Sequence, residues 1–313
     1  MIKKLLRWAL FAVILTLGVL YINRHPEGFL PLHSIPAAGL IILSALNLAQ
    51  FFLRALLMKV YLRPFSVSMG FREYFGMDML AALLNYLPVP GGTFSRAIYL
   101  KNRHRFSYTD FTVLLGAMNV ISVFSIGLTG SVSMSILYST RSISNIAINV
   151  LFLTLVSISV IVFVMPMDML MRLRLHGRIM SLLRNGIEHW NRLKISAGAI
   201  GKLTAINIMI VAMAALRLFF LFKYTGAEVP LFSCLAMASL SSLAVIVPVT
   251  PSGLGIREAA VAVMSQMLGA SFAHGLAISV ADRLIGVAWT FICGAVFIPA
   301  FLHRHNSDGA DPR

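Results

Sequence analysis

Long apolar runs separated by short polar loops extend through nearly the whole chain. Residues 5–22, 35–58, 111–138, 146–165, 203–222 and 272–302 each approach or exceed the ~20 apolar positions of a bilayer-spanning helix. Thr109 or Asp110 is placed to cap the helix over 111–138. Two further apolar stretches are interrupted. Residues 71–87 descend to a Pro- and Gly-rich break and return over 94–100, and residues 231–247 descend to a second break and return over 259–268. The pattern predicts an all-α integral membrane protein with about six spanning helices and two re-entrant hairpins. Eight full spans is the alternative, but it requires each hairpin arm to cross completely, and 94–100 is too short for that.

The second break, residues 248–258, reads P-V-T-P-S-G-L-G-I-R-E. Every backbone N–H and C=O in lipid needs a partner, so irregular backbone at that depth is tolerated only where protein or a water-filled cavity satisfies it. Arg257 and Glu258 add ionisable groups, which are costly in a bilayer and usually functional. A broken hairpin lining a cavity and a short external turn both fit this composition. The first break has the same form: Pro90, Gly92 and Arg96 recur as Pro251, Gly253 and Arg257, in the pattern P-x-G-x-x-x-R. Upstream, Met77, Leu80, Leu83, Pro88 and Val89 align without a gap onto Met237, Leu240, Leu243, Pro248 and Val249. This predicts one polytopic membrane domain over 1–313 with internal repeats at about 35–140 and 203–302, a common way to build transporters.

Charge sets the orientation. The chain carries 26 Lys and Arg against 11 Asp and Glu, a formal net charge of +15. The basic residues cluster in alternate loops: Lys3, Lys4 and Arg7; Lys59 and Arg63; Lys101, Arg103 and Arg105; and a basic stretch within 168–202 that reads as amphipathic and headgroup-bound, or as a plain basic loop. The intervening loops hold only Arg24, Arg141 and Lys223. By the positive-inside rule both termini are cytoplasmic, as expected for a multi-pass protein of the cell inner membrane. The two hairpins then open to opposite sides, which makes the repeat inverted in topology. Residues 303–313 read as a disordered cytoplasmic tail. The bases form no folded basic face, so nucleic acid is excluded as a partner, and anionic lipid headgroups are the expected one.

Several charges lie deep in the apolar segments. Asp282 and Arg283 are adjacent on one helix and do not face each other, so each must look elsewhere. Arg257 is a partner for Asp282, Glu258 for Arg283, and Arg96 for Asp78. A structural ion pair and a substrate contact are both open for these groups. Arg54 and Arg217 read as snorkelling side chains, and Asn47 and Asn207 as helix–helix glue. The candidate substrate-binding set is Pro90, Gly92, Arg96, Pro251, Gly253, Gly255, Arg257, Glu258, Asp282 and Arg283. Cys234 and Cys293 fall within apolar runs and read as inert thiols. No nucleophile elbow, zinc-protease helix, Walker loop or Cys/His cluster is present, so no enzyme activity, cofactor or metal is expected, and any transport is driven by a gradient or facilitated.

The segment P-x-G-L-G-x-R-E ending at Glu258 resembles the second motif of the lysylphosphatidylglycerol synthetase transmembrane-region family, also called the flippase-like domain family. The L-P-x-P-G-G-x-x-x-R-A segment ending at Ala97 is similar to its first motif, and Asp282-Arg283 to its late charged position. One departure is that residues 116–121 read G-A-M-N-V-I, where the family often carries an acidic-Arg pair. The resemblance implies handling of an aminoacylated phospholipid or an isoprenoid-linked lipid. Family members that make the aminoacyl lipid carry a soluble synthetase domain after the membrane part, so synthesis is not expected of a chain that stops at Arg313. Two roles follow: a lipid flippase, or a non-transporting partner that presents lipid to a separate synthase or glycosyltransferase.

Overall fold

The computed structural model describes residues 29–65, 67–86, 91–140, 146–164, 197–246 and 250–307. The first apolar segment (5–22), Pro90, Arg141, most of the basic stretch 168–202 and residues 308–313 lie outside them. The described residues form nine α-helices and no strand. In chain order these are α1 (Ala37–Leu62), α2 (Phe71–Leu84), α3 (Gly91–His104), α4 (Tyr108–Ser139), α5 (Ile146–Val164), α6 (Ala197–Tyr224), α7 (Leu231–Ile246), α8 (Ile256–Met267) and α9 (Phe272–Ser307). Five of them, α1, α4, α5, α6 and α9, are long and apolar enough to cross a bilayer. The chain is thus an all-α integral membrane protein.

The hairpin arms are short. Helices α2, α3, α7 and α8 have 14, 14, 16 and 12 residues. At 1.5 Å per residue even α7 reaches about 24 Å, less than the ~30 Å hydrocarbon core. Several boundaries differ from the sequence expectation. Helix α3 begins at Gly91 and runs through the basic cluster to His104, because neither Gly91-Gly92 nor the Lys101-Arg103 run breaks a helix. Helix α6 starts at Ala197 instead of 203, and α9 continues to Ser307, into the stretch read as tail. The cap of α4 is Ser107, not Thr109 or Asp110. Its hydroxyl oxygen accepts from the Asp110 N–H at 3.0 Å, so Asp110 sits at the third helical position, where an acid favours the helix start.

Most neighbour relations of the two halves pair off; the α6–α9 contact is the exception, with no comparable α1–α4 contact among the described residues. Helix α1 packs on α6. The contacts α1–α2, α2–α3, α3–α4, α1–α9 and α2–α9 have mates in α6–α7, α7–α8, α8–α9, α6–α4 and α7–α4. Exchanging α1–α4 for α6–α9 leaves this set unchanged. Each half also has its own core. Leu62, Met77, Leu100 and Leu114 are buried together around the first hairpin, and Leu221, Met237, Met264 and Ile278 around the second. The aligned residues Met77 and Met237 take the same place in the two cores.

Apolar burial does not separate a helix pair from lipid, so close packing of small residues must hold the helices together. Gly127 and Gly130 of α4 sit so close to Val156 and Phe152 of α5 that a Cβ on Gly130 would lie 2.4 Å from the Phe152 ring. Gly39 of α1 lies under the Tyr224 ring of α6 in the same way. Helix α5 is apolar on all sides and largely exposed, which places it against lipid at the edge of the bundle.

Candidate functional site at the hairpin tips

Glycine allows a close backbone approach in the described part of both hairpins. At the second break, Ser252, Gly253 and Gly255 have φ of 51°, 65° and 82°, a left-handed turn that reverses α7 into α8. Gly253 is doubly required, since a Cβ there would lie 2.8 Å from the Ala244 carbonyl oxygen. At the first break Gly92 is the tightest point of the hairpin. A Cβ would lie 2.2 Å from the Ala81 carbonyl oxygen and 2.3 Å from Asn85 Oδ1. Asn85 ends α2, and its side-chain oxygen accepts from the Gly92 N–H at 3.2 Å, so it caps the start of α3.

The two tips touch. Ser252 Oγ donates to the Asn85 carbonyl at 3.0 Å. Arg283 Nη2 donates to the Ser252 carbonyl at 3.1 Å, and Arg283 Nε lies 2.5 Å from Glu258 Oε1. Glu258 Oε2 in turn accepts from the Gly255 N–H at 2.7 Å, capping α8. One chain of polar contacts therefore runs from Gly92 in the first motif to Gly255 in the second. Both oxygens of the buried Glu258 carboxylate are engaged in it.

Two aspartates organise the remaining charge, and each holds two arginines. Asp78 on α2 binds Arg96 of α3 through Nη2 and lies 3.2 Å from Arg54 Nε of α1. Asp282 on α9 lies 2.5 Å from Arg257 Nη2 of α8 and 2.6 Å from Arg217 Nε of α6, with Arg217 Nη2 at 3.4 Å from its second oxygen. Arg217 Nη1 also donates to Gln50 Oε1 of α1 at 2.7 Å. The arginines of both triads come from matching helices, α1 with α6 and α3 with α8. The aspartates do not, because one is on the descending arm of its hairpin and the other on the helix after it.

The expected pairs Arg257–Asp282, Arg283–Glu258 and Arg96–Asp78 are thus brought together. The snorkelling assigned to Arg54 and Arg217 is not observed: both turn inward to an aspartate. Arg217 is the more buried partner of Asp282, with 4 % of its side chain exposed against 24 % for Arg257. Sequence reasoning missed it because its acid is 65 positions away. The available signal was that Arg217 lies several residues inside its apolar run while Lys223 already marks the end. Asn207 does join helices, accepting from Ser122 Oγ of α4 at 3.2 Å. Among the described residues no group of His, Cys, Asp and Glu has the arrangement of a metal site.

Some donors at the tips are left over. Arg96 Nε, Arg283 Nη1 and Thr250 Oγ1 are buried with no hydrogen-bond partner among the described residues. Among the described residues, each aspartate triad has two guanidinium groups and one carboxylate, which leaves one positive charge in excess at each hairpin.

A protein-family model described as the lysylphosphatidylglycerol synthase TM region matches residues 2–294, nearly the whole chain. No curated protein sequence matches it.

Proposed function

We infer the function from one premise: the chain belongs to the lysylphosphatidylglycerol synthase transmembrane-region family. It is therefore a multi-pass membrane protein of lipid-related function. On that premise we propose that it moves a lipid between leaflets. The cargo is an anionic or aminoacylated phospholipid, or an isoprenoid-linked lipid, whose headgroup passes through a central cavity lined by the two broken hairpins. The protein resides in the inner membrane with its basic loops and both termini in the cytoplasm, and transport runs by a gradient or by facilitation.

The carrying observation is the excess guanidinium charge at each hairpin. A buried charge without a counter-charge is costly, and an anionic phosphodiester supplies one. The unpartnered donors Arg96 Nε and Arg283 Nη1 are of the type that binds phosphate oxygens. Helix α3 begins at Gly91 with no acid in its first turn, so the dipole at its N-terminus adds to the field that favours an anion.

The test is lipid scrambling in reconstituted vesicles, read with a fluorescent phosphatidylglycerol and an impermeant quencher. The native protein is expected to expose the inner-leaflet dye, and Arg96→Ala or Arg257→Ala to slow exposure to the protein-free rate while remaining folded at the assay temperature. Native-rate scrambling by both variants would overturn the site. A native protein that binds the lipid without moving it would overturn transport in favour of lipid presentation to another enzyme.

A further inference from the structure

The two return arms are fastened differently. Helix α8 is held along α9 from end to end: Gly275 of α9 packs on Ser265 and Ala262 near the connecting loop, and Arg257–Asp282 and Glu258–Arg283 join the helices near the tip. Helix α3 is fastened to α2 instead. Among the described residues, Gly92, Arg96, Tyr99, Arg103 and His104 make polar contacts to Asn85, Asp78 and Glu73 on that side. It barely meets α4. The difference follows from where the acids lie, since α4 carries no mate of Asp282 and offers the uncharged run 116–121 instead.

Helices α3 and α4 therefore form a V. Its apex is their short connection, where Lys101 Nζ sits 4.1 Å from the centre of the Tyr108 ring. Phe94 and Ile98, 59 % and 48 % exposed, lie on the α3 face away from α2, in line with Lys101. On α4 the exposed stripe from the apex holds Thr112 and Asn119, with Gly116 between them facing open space. Asn119 is eleven positions beyond Tyr108, about 17 Å along the helix and so near mid-bilayer. An exposed carboxamide is costly in hydrocarbon unless something polar meets it.

We propose that the cleft between α3 and α4 is a lateral portal for an anionic phospholipid. The lipid comes from the leaflet on the side of Lys101, Arg103 and Arg105, and its headgroup advances past Thr112 and Asn119 while its acyl chains remain against Phe94 and Ile98. Charge complementarity selects the occupant. Lys101 and Arg105 lie exposed at the mouth, and Arg96 lies on the same arm nearer the tip. The proposal rests on the lipid-translocating reading but concerns capture, which is measured separately.

In the test, Thr112, Asn119 and Val132 are each replaced by the photo-crosslinker benzoylphenylalanine, and the protein is placed in phosphatidylcholine vesicles with a minority of radiolabelled phosphatidylglycerol. Val132 is exposed on the same helix outside the stripe. The probes at Thr112 and Asn119 are expected to capture phosphatidylglycerol about fivefold above its share of the vesicle, the factor one basic side chain near the headgroups supplies. Val132 is expected to capture it in proportion. Lys101→Glu should remove the enrichment at Asn119. Gly116→Leu, whose side chain enters open space, should reduce the phosphatidylglycerol that copurifies with the otherwise native chain without lowering the melting temperature. Proportional capture at all three positions overturns the portal, as does an adduct to another part of this chain or to a second copy. Enriched capture without scrambling upholds the portal and overturns transport. Native scrambling with proportional capture overturns the portal alone.

Discussion

Ser252 donates its hydroxyl to the main-chain carbonyl of Asn85 at 3.0 Å, a bond that spans 167 positions and joins the turns of the two hairpins. Asn85 caps the first motif and Arg283 holds Ser252 from the other side. Neither tip can shift without breaking a contact to the other. Opposed hairpins in a membrane have few such ties available, because their backbone is helical and internally satisfied everywhere except at the breaks.

Ser252 is also a non-glycine residue in the left-handed region, at φ 51°. Removing its hydroxyl is expected to cost about 1 kcal/mol in Ser252→Ala, the net value of one hydrogen bond. Ser252→Gly loses the same bond but relieves a backbone penalty of about 1–2 kcal/mol. The glycine variant should therefore melt above the alanine variant, the reverse of the order expected for residues in a helix. Equal melting temperatures in detergent would show that the turn carries no strain.

Gly92→Ala places a methyl 2.2 Å from a main-chain oxygen of the facing arm, where only backbone can give way. A loss on the order of 3 kcal/mol is expected, at the upper end for overpacking. Gly201→Ala serves as the contrast. It is exposed on α6 with open space around its Cβ, and should gain about 1 kcal/mol from helix propensity. Thermal unfolding of both variants checks the pair.

The sequence made the hairpins legible because lipid permits few irregular stretches and both carried the same proline–glycine–arginine spacing. It also made three of the ion pairs legible. Asp282 and Arg283 cannot serve each other, and each had one counter-charge in the nearby motif. What it hid was contact between distant segments. Arg217 and Arg54 look like ordinary interfacial arginines to any local rule, and their inward turn depends on α6 and α1 lying beside helices that carry an acid. The Ser252–Asn85 bond was invisible for a different reason, since its acceptor is a main-chain oxygen that every residue possesses. The cap of α4 was missed by a few positions because Ser107, Thr109 and Asp110 are all good caps, and only the fold selects the one whose oxygen reaches a free N–H.

Topology follows from the basic-loop bias. Glu228, exposed between α6 and α7, and Asn102, exposed in the basic end of α3, should lie on opposite sides of the membrane. Cysteine at Glu228 is expected to react with an impermeant maleimide on intact cells, and cysteine at Asn102 only after permeabilisation. Cys234 and Cys293 are buried and contribute little background. Labelling of Asn102→Cys on intact cells would reverse the assigned orientation.

The two arginines on Asp282 should separate stability from function. Arg217 is buried, meets both carboxylate oxygens and is tied to Gln50, so it balances Asp282 within the folded bundle. Arg217→Ala leaves Asp282 with only the more exposed Arg257 and strands the Gln50 oxygen, and breaking a buried pair of this kind costs ~3–5 kcal/mol. Arg257→Ala leaves the Arg217–Asp282 pair intact, so a loss on the order of 1 kcal/mol is expected. Its larger effect should be on lipid movement, because it removes the more accessible excess charge. Arg257→Lys keeps the charge but not the planar fork, and should restore stability without restoring full transport. Double-mutant cycles with Asp282→Asn, measured as unfolding in detergent, provide the check. Coupling to Asp282 should be strong for Arg217 and weak for Arg257, since only neighbours that depend on each other depart from additivity. The reverse order would make Arg257 the structural partner and leave Arg217 as the group available to a headgroup.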